Sequence, residues 1–146
     1  MTSGAALVDL LPHQVPMRLV EAIVECTPGE SARGRRLVKP EDWFLQGHFP
    51  GDPMVPAIVL VELLAQTGGI AACSGDAAAR PALRVAAFGP FKFPGAARPP
   101  AVLEAVARVV GRIGGMIKIE GEVTADGVRV AIGSVVLAEV PLETPT

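Results

Sequence analysis

The sequence predicts an α+β fold in which several antiparallel strands surround one long buried helix. Three observations carry this. Residues 56–73 are apolar nearly all round, which marks a helix enclosed by the rest of the molecule and not one lying on its surface. Residues 17–26, 31–39, 116–124 and 128–140 hold Val, Leu and Ile in runs or alternation suited to strands. Asp126-Gly127, between the last two of these, is a strong hairpin signal. The 146 residues suffice for one domain with a core, so residues 1–146 are read as a single unit with a tail from about 141.

In chain order, residues 5–10 suit a short helix that ends before Leu11-Pro12, and His13 follows in a loop as a packing or hydrogen-bonding residue. Met17 to Cys26 reads as a strand, and Thr27-Pro28-Gly29-Glu30 as a turn. Ser31 to Lys39 is a strand with Arg33, Arg35 and Arg36 on a basic, solvent-facing side. That side is either ordinary surface charge or a docking patch for an acidic partner. Trp43 and Phe44 are expected in the core. Residues 76–80 suggest a loop, and Arg84 to Phe88 a strand. Phe88, Phe91 and Phe93 alternate, either lining a tunnel or packing in the core. Over Ala101 to Arg112, Ala, Leu and Glu favour helix while four valines favour strand, and composition alone leaves the choice open. Gly114-Gly115 makes a turn.

Gly47-His48-Phe49-Pro50-Gly51-Asp52-Pro53-Met54-Val55-Pro56 organises the rest. Three prolines and two glycines in ten residues exclude a regular helix or central strand there. Pro56 suits the first position of the helix that follows, where its missing N–H costs nothing. Glu62 is the only ionisable side chain in the first turns of that helix. A buried carboxylate without a partner is costly, so Glu62 is either paired, poised as a proton donor, or placed on a solvated stripe.

Gly47-His48-Phe49-Pro50-Gly51, then Pro53 and Pro56, then Glu62 fourteen residues after His48 and Gln66 one turn later resemble the signature of the 3-hydroxyacyl-[acyl-carrier-protein] dehydratases. Leu11-Pro12-His13 with Pro16 resembles that family's opening, and Phe91-Lys92-Phe93-Pro94 its F-K-x-P element. The resemblance implies a hot-dog fold, a curved sheet wrapped around the central helix, and selects strand for residues 101–112. It also implies removal of water from a (3R)-3-hydroxyacyl thioester on acyl carrier protein, in fatty-acid or polyketide and polyene biosynthesis. The product is a trans-2-enoyl thioester, and no cofactor is expected. The family's histidine and acid come from opposite subunits, which implies a homodimer, or a dimer-based oligomer, with shared sites. Two departures stand out: Ala57 replaces the usual Gly, and Gly95-Ala96-Ala97-Arg98-Pro99-Pro100 replaces a V-x-P-G-D segment; Glu62 is the acid of the branch that only dehydrates, whereas Gly51-Asp52-Pro53 resembles the branch that also isomerises.

The chemistry needs a base for a weakly acidic C2 proton, a holder for charge on the thioester oxygen, and an acid for departing hydroxide. A neutral histidine, backbone N–H groups at a helix start, and a carboxyl in apolar surroundings suit these tasks. His48 is thus expected to take the proton, the Ala57 amide to bond the oxygen, and Glu62 to protonate or orient the hydroxyl. Gln66 is expected to anchor Glu62 or a water, with Phe49 and Gly51 as substrate-binding positions. A hot-dog thioesterase and a non-catalytic subunit that pairs with an active partner are the alternatives.

Composition excludes other classes. Net charge is −2 without charged runs and Tyr is absent, so neither nucleic acid nor a membrane surface is an expected partner. The N-terminus has no basic region followed by a long apolar stretch, so it is not read as a signal peptide. Cys26 and Cys73 read as reduced thiols of a cytoplasmic protein, and no Cys/His spacing suits a metal.

Overall fold

The computed structural model describes residues 7–75 and 82–140. Strands β1 (Ala22–Thr27) and β2 (Ser31–Val38) form a hairpin. A short 3₁₀ turn (Trp43–Leu45) and the Gly/Pro-rich loop then lead into helix α1 (Ala57–Cys73). Strands β3 (Ala82–Lys92), β4 (Ala101–Ile113), β5 (Met116–Ala125) and β6 (Val128–Val140) complete one six-stranded sheet in the order β1-β2-β4-β5-β6-β3. All neighbouring pairs are antiparallel. Helix α1 packs on β1, β2, β4, β5 and β6, so the sheet wraps it in the hot-dog arrangement. Residues 101–113, ambiguous by composition, are strand: Leu103, Ala105 and Ala107 alternate inward beneath the helix. Asp126 and Gly127 adopt positive φ (48° and 84°), the conformation a two-residue hairpin requires.

The core centres on Leu63, Leu64 and Ile70 of α1, which meet Leu103, Ile119, Val123 and Val135 from the sheet. The helix lies close because β2 and α1 each offer small residues where they touch. A Cβ on Gly34 would fall 2.5 Å from Thr67 Oγ1 and 2.8 Å from Val20 Cγ2.

Several expectations need correction. The strand foreseen over Met17 to Cys26 begins only at Ala22, because the Leu19 and Val20 amides bond a glutamine side chain of α1 and not a neighbouring strand. Arg36 does not share the outer face of Arg33 and Arg35. The period of two along β2 turns it inward, where its guanidinium donates to Leu19 O (3.0 Å) and Asp42 Oδ1 (2.9 Å) and lies over the Phe44 ring. Arg33 and Arg35 remain outside, paired with Glu25 (3.0 Å) and Glu104 (2.9 Å), so the basic stripe is answered by its own sheet. Phe44 is core but Trp43 is 43% exposed, its indole N–H donating to Pro16 O (3.1 Å). Pro56 precedes the helix instead of opening it, with Ala57 as the first helical residue. Phe88 is not core within the chain: it is 62% exposed on β3, a strand at the edge of the sheet. Of the short helix expected over 5–10, the described residues show one turn, in which the Leu10 amide donates to Leu7 O (3.1 Å). The loop at 76–80 and the tail from 141 lie outside the described residues.

Gly34→Ala is expected to lower stability by about 1–3 kcal/mol through overpacking against α1. Urea denaturation monitored by Trp43 fluorescence checks this, and an unchanged midpoint would contradict the close approach.

Candidate active site

The His48 loop is closed by its own backbone. The Phe49 amide donates to Asp52 O (3.0 Å) and the Asp52 amide to Phe49 O (2.9 Å). The Met54 amide donates to His48 O (2.8 Å). Gly47 and Gly51 bracket the turn at φ of 78° and 76°, values that disfavour a side chain. The histidine ring stacks on Phe49, with centroids 4.2 Å apart, and its Nδ1 lies 3.0 Å from Met54 O. A carbonyl only accepts, so Nδ1 carries the proton and Nε2 keeps its lone pair.

The segment that replaces the family's V-x-P-G-D steadies this loop from outside. The Val55 amide donates to Ala97 O (2.9 Å), and the Arg98 guanidinium bonds Asp52 (Nε–Oδ1 2.9 Å). The hydrogen bond from Arg98, with its charge, holds the Asp52 carboxyl below its ordinary value of 3.8.

Helix α1 begins without a capping side chain, and the Ala57 and Ile58 residues are exposed. The Val59 and Leu60 amides already reach Pro56 O, whereas those of Ala57 and Ile58 have no acceptor among the described residues. Two donors at the positive end of a helix dipole therefore stand open to an incoming oxygen. The Ala57 methyl narrows the approach without removing the N–H.

Glu62 faces a cavity of ≈ 250 Å³. One side is a single face of α1 (Glu62, Gln66, Gly69 and Cys73), and the other includes Leu11, His13, Leu83 and Leu137. Gln66 is saturated. Its Oε1 accepts from the Leu19 (2.8 Å) and Val20 (3.4 Å) amides, and its Nε2 donates to Met17 O (2.7 Å) and Glu62 Oε1 (3.1 Å). No N–H is left on it for a water or a substrate. His13 Nε2 lies 3.4 Å from the same Glu62 oxygen. The structure therefore joins Glu62, Gln66 and His13 on one side, and His48, Phe49, Gly51 and the Ala57 amide on another. His48 does not line the Glu62 cavity of its own chain. The contact of His13 with Glu62 went unnoticed in the sequence because nearly fifty residues separate them; Pro12-His13 preceding Pro16 was the only signal. Among the described residues, no three His, Cys, Asp or Glu side chains group as a metal site would.

A family model described as the FabA-like domain matches residues 11–134. The chain belongs to the FabA-like family. Its FabA-like relatives include the 3-hydroxyacyl-[acyl-carrier-protein] dehydratase FabZ of Roseiflexus castenholzii, 33% identical over 83% of this chain and 89% of that one. The FabZ of Caldicellulosiruptor saccharolyticus is 31% identical over 87% and 95%. The FabZ of Chloroflexus aggregans is 46% identical, over a stretch that spans about half of each chain (51% and 51%). Among solved structures, the dehydratase heterocomplex ApeI:P from Xenorhabdus doucetiae shares the fold, with a TM-score of 0.74 at 20% identity over 92% of this chain and 91% of that one. A hypothetical thioesterase from Streptococcus pneumoniae, solved with coenzyme A, shares it at a TM-score of 0.64 and 13% identity, over 81% and 84%.

Two outcomes test this geometry. In carboxyl NMR, Asp52 should titrate below 3.8 and return toward that value in Arg98→Ala. Since its folded value is the lower one, the pair stabilises the loop above pH 3.8 and that contribution fades as pH falls through the lowered value. Gln66→Leu should cost about 1–3 kcal/mol for each buried backbone group left unpaired, read as a lower denaturation midpoint.

Proposed function

We infer that this chain is a 3-hydroxyacyl-[acyl-carrier-protein] dehydratase, removing water from a 3-hydroxyacyl thioester to leave a trans-2-enoyl thioester. The observation that carries this reading is the His48 ring. In a FabA-like chain, Met54 O fixes its proton on Nδ1 and leaves Nε2 as a base, nine residues before a helix start with two open amides. Nε2 removes the C2 proton while the Ala57 N–H bonds the thioester oxygen, where negative charge gathers. Glu62 meets the C3 hydroxyl and assists its departure with a proton.

Two copies build the site. Within one chain the Glu62 cavity lacks His48. Strand β3 ends the sheet, its outer edge unpaired among the described residues, and Phe88, Ile58 (78% exposed) and Phe49 stand out from the surface. A second copy set against β3 covers this apolar surface and brings its own His48 loop to Glu62. The substrate travels on acyl carrier protein, the carrier in the names of the FabZ relatives, within fatty-acid or polyketide synthesis. Arg33 and Arg35 are engaged with glutamates, so the carrier is not assigned to them.

His48→Ala and Glu62→Gln should each reduce enoyl-thioester formation by about 10²–10⁴-fold, followed by absorbance with 3-hydroxyacyl thioesters of several chain lengths on carrier protein and on coenzyme A. Mixing the two inactive variants should restore part of the activity, since a mixed dimer regains one intact pair. Failure of the wild type to form enoyl product with any of these substrates would overturn the dehydratase reading, and release of free thiol would point to a thioesterase.

A further inference from the structure

We propose that His13 is a positioning residue that, with Gln66, holds Glu62 by one carboxyl oxygen and turns the other toward the substrate. The inference rests on the dehydratase reading. Glu62 Oε1 receives both contacts, Gln66 Nε2 at 3.1 Å and His13 Nε2 at 3.4 Å. Oε2 takes no hydrogen bond from the described residues. A carboxylic acid that accepts at one oxygen and is open at the other has a single oxygen, the one carrying its proton, left for the reacting hydroxyl.

The histidine's proton is placed by elimination. His13 Nδ1 is buried and has no hydrogen-bond partner among the described residues. A proton there would be a buried donor without an acceptor, which is unfavourable. The neutral ring therefore carries its proton on Nε2, the nitrogen 3.4 Å from Glu62 Oε1. At 3.4 Å the contact is longer than an ordinary N–H···O bond.

The loop is built to hold that ring still. The Arg18 guanidinium donates to His13 O (2.9 Å) and Leu11 O (3.2 Å) and pairs with Asp9 (3.1 Å). Gln66 fastens the next residues of the same segment through Met17 O and the Leu19 amide. One segment thus reaches α1 twice, through Gln66 and through the imidazole, and both attachments meet at one oxygen of Glu62. A residue that only filled space would need neither the ring nitrogen nor this clamp.

The test compares His13→Gln, which keeps an N–H near the Nε2 position, with His13→Leu, which keeps bulk and removes the donor. Steady-state dehydration of a 3-hydroxyacyl thioester on carrier protein is measured beside thermal unfolding and oligomeric state. His13→Leu should lower kcat roughly 10- to 100-fold with KM little changed, the effect of misaiming a reacting group. His13→Gln should recover most of the lost kcat. Combined with Glu62→Gln, His13→Leu should add nothing further, because it acts only through that carboxyl. Wild-type kcat in His13→Leu, or equal loss in both single variants with folding intact, would overturn the proposal. Full activity of Glu62→Gln alone would instead overturn the assignment of Glu62, a distinguishable failure.

Discussion

Gln66 is the residue on which the arrangement depends. It is 2% exposed in the middle of a helix with almost no other polar group, and each of its four hydrogen bonds is made within the chain. A buried amide is tolerable only when satisfied in this way, and the satisfaction is directional. Three of the bonds fasten the segment leading into β1, so that segment follows the helix until it joins the sheet at Ala22. The fourth reaches Glu62. One side chain therefore couples the path of the backbone to the aim of a carboxylate.

The sheet imposes the complementary condition. To enclose an apolar helix, its strands must come close on several sides, and residues without bulk make room at the contacts. Gly34 faces Thr67, and Gly68 faces Ile119, where an added Cβ would fall 2.8 Å away. The side of α1 that carries Glu62, Gln66, Gly69 and Cys73 is instead left facing a cavity. Dense packing and vacant space thus lie on different sides of the same helix.

Much of this was legible in the residues. The helix was visible because it is apolar nearly all round, and the last hairpin because Asp126-Gly127 supplies two positive φ values. The Gly47 to Pro56 loop announced itself by its glycines and prolines. What could not be read were facts of direction and distance. Arg36 looked like its neighbours until the strand's alternation sent it inward to Asp42. Met17 to Val20 looked like strand because side-chain composition does not reveal that a distant glutamine takes the amides. Trp43 seemed a core residue by type, but one indole N–H bound to a surface carbonyl holds it outside. The approach of His13 to Glu62 and of Arg98 to Asp52 joins residues nearly fifty apart, beyond what local pattern encodes. The unusual segment at 95–100, which in the sequence was merely a departure, proved to be the brace of the histidine loop.

The bare start of α1 has a cost and a chemical consequence. Helices commonly begin with Ser, Thr, Asp or Asn, whose oxygen bonds the second or third amide and contributes about 1 kcal/mol. Pro56 offers no such oxygen, so this helix forgoes that stabilisation. A serine there would be an internal competitor, bonding the Ile58 N–H and partly quenching the positive end of the helix. The missing cap keeps the Ala57 and Ile58 amides without an acceptor among the described residues, so a small thermodynamic deficit at one helix end is also two donors left available.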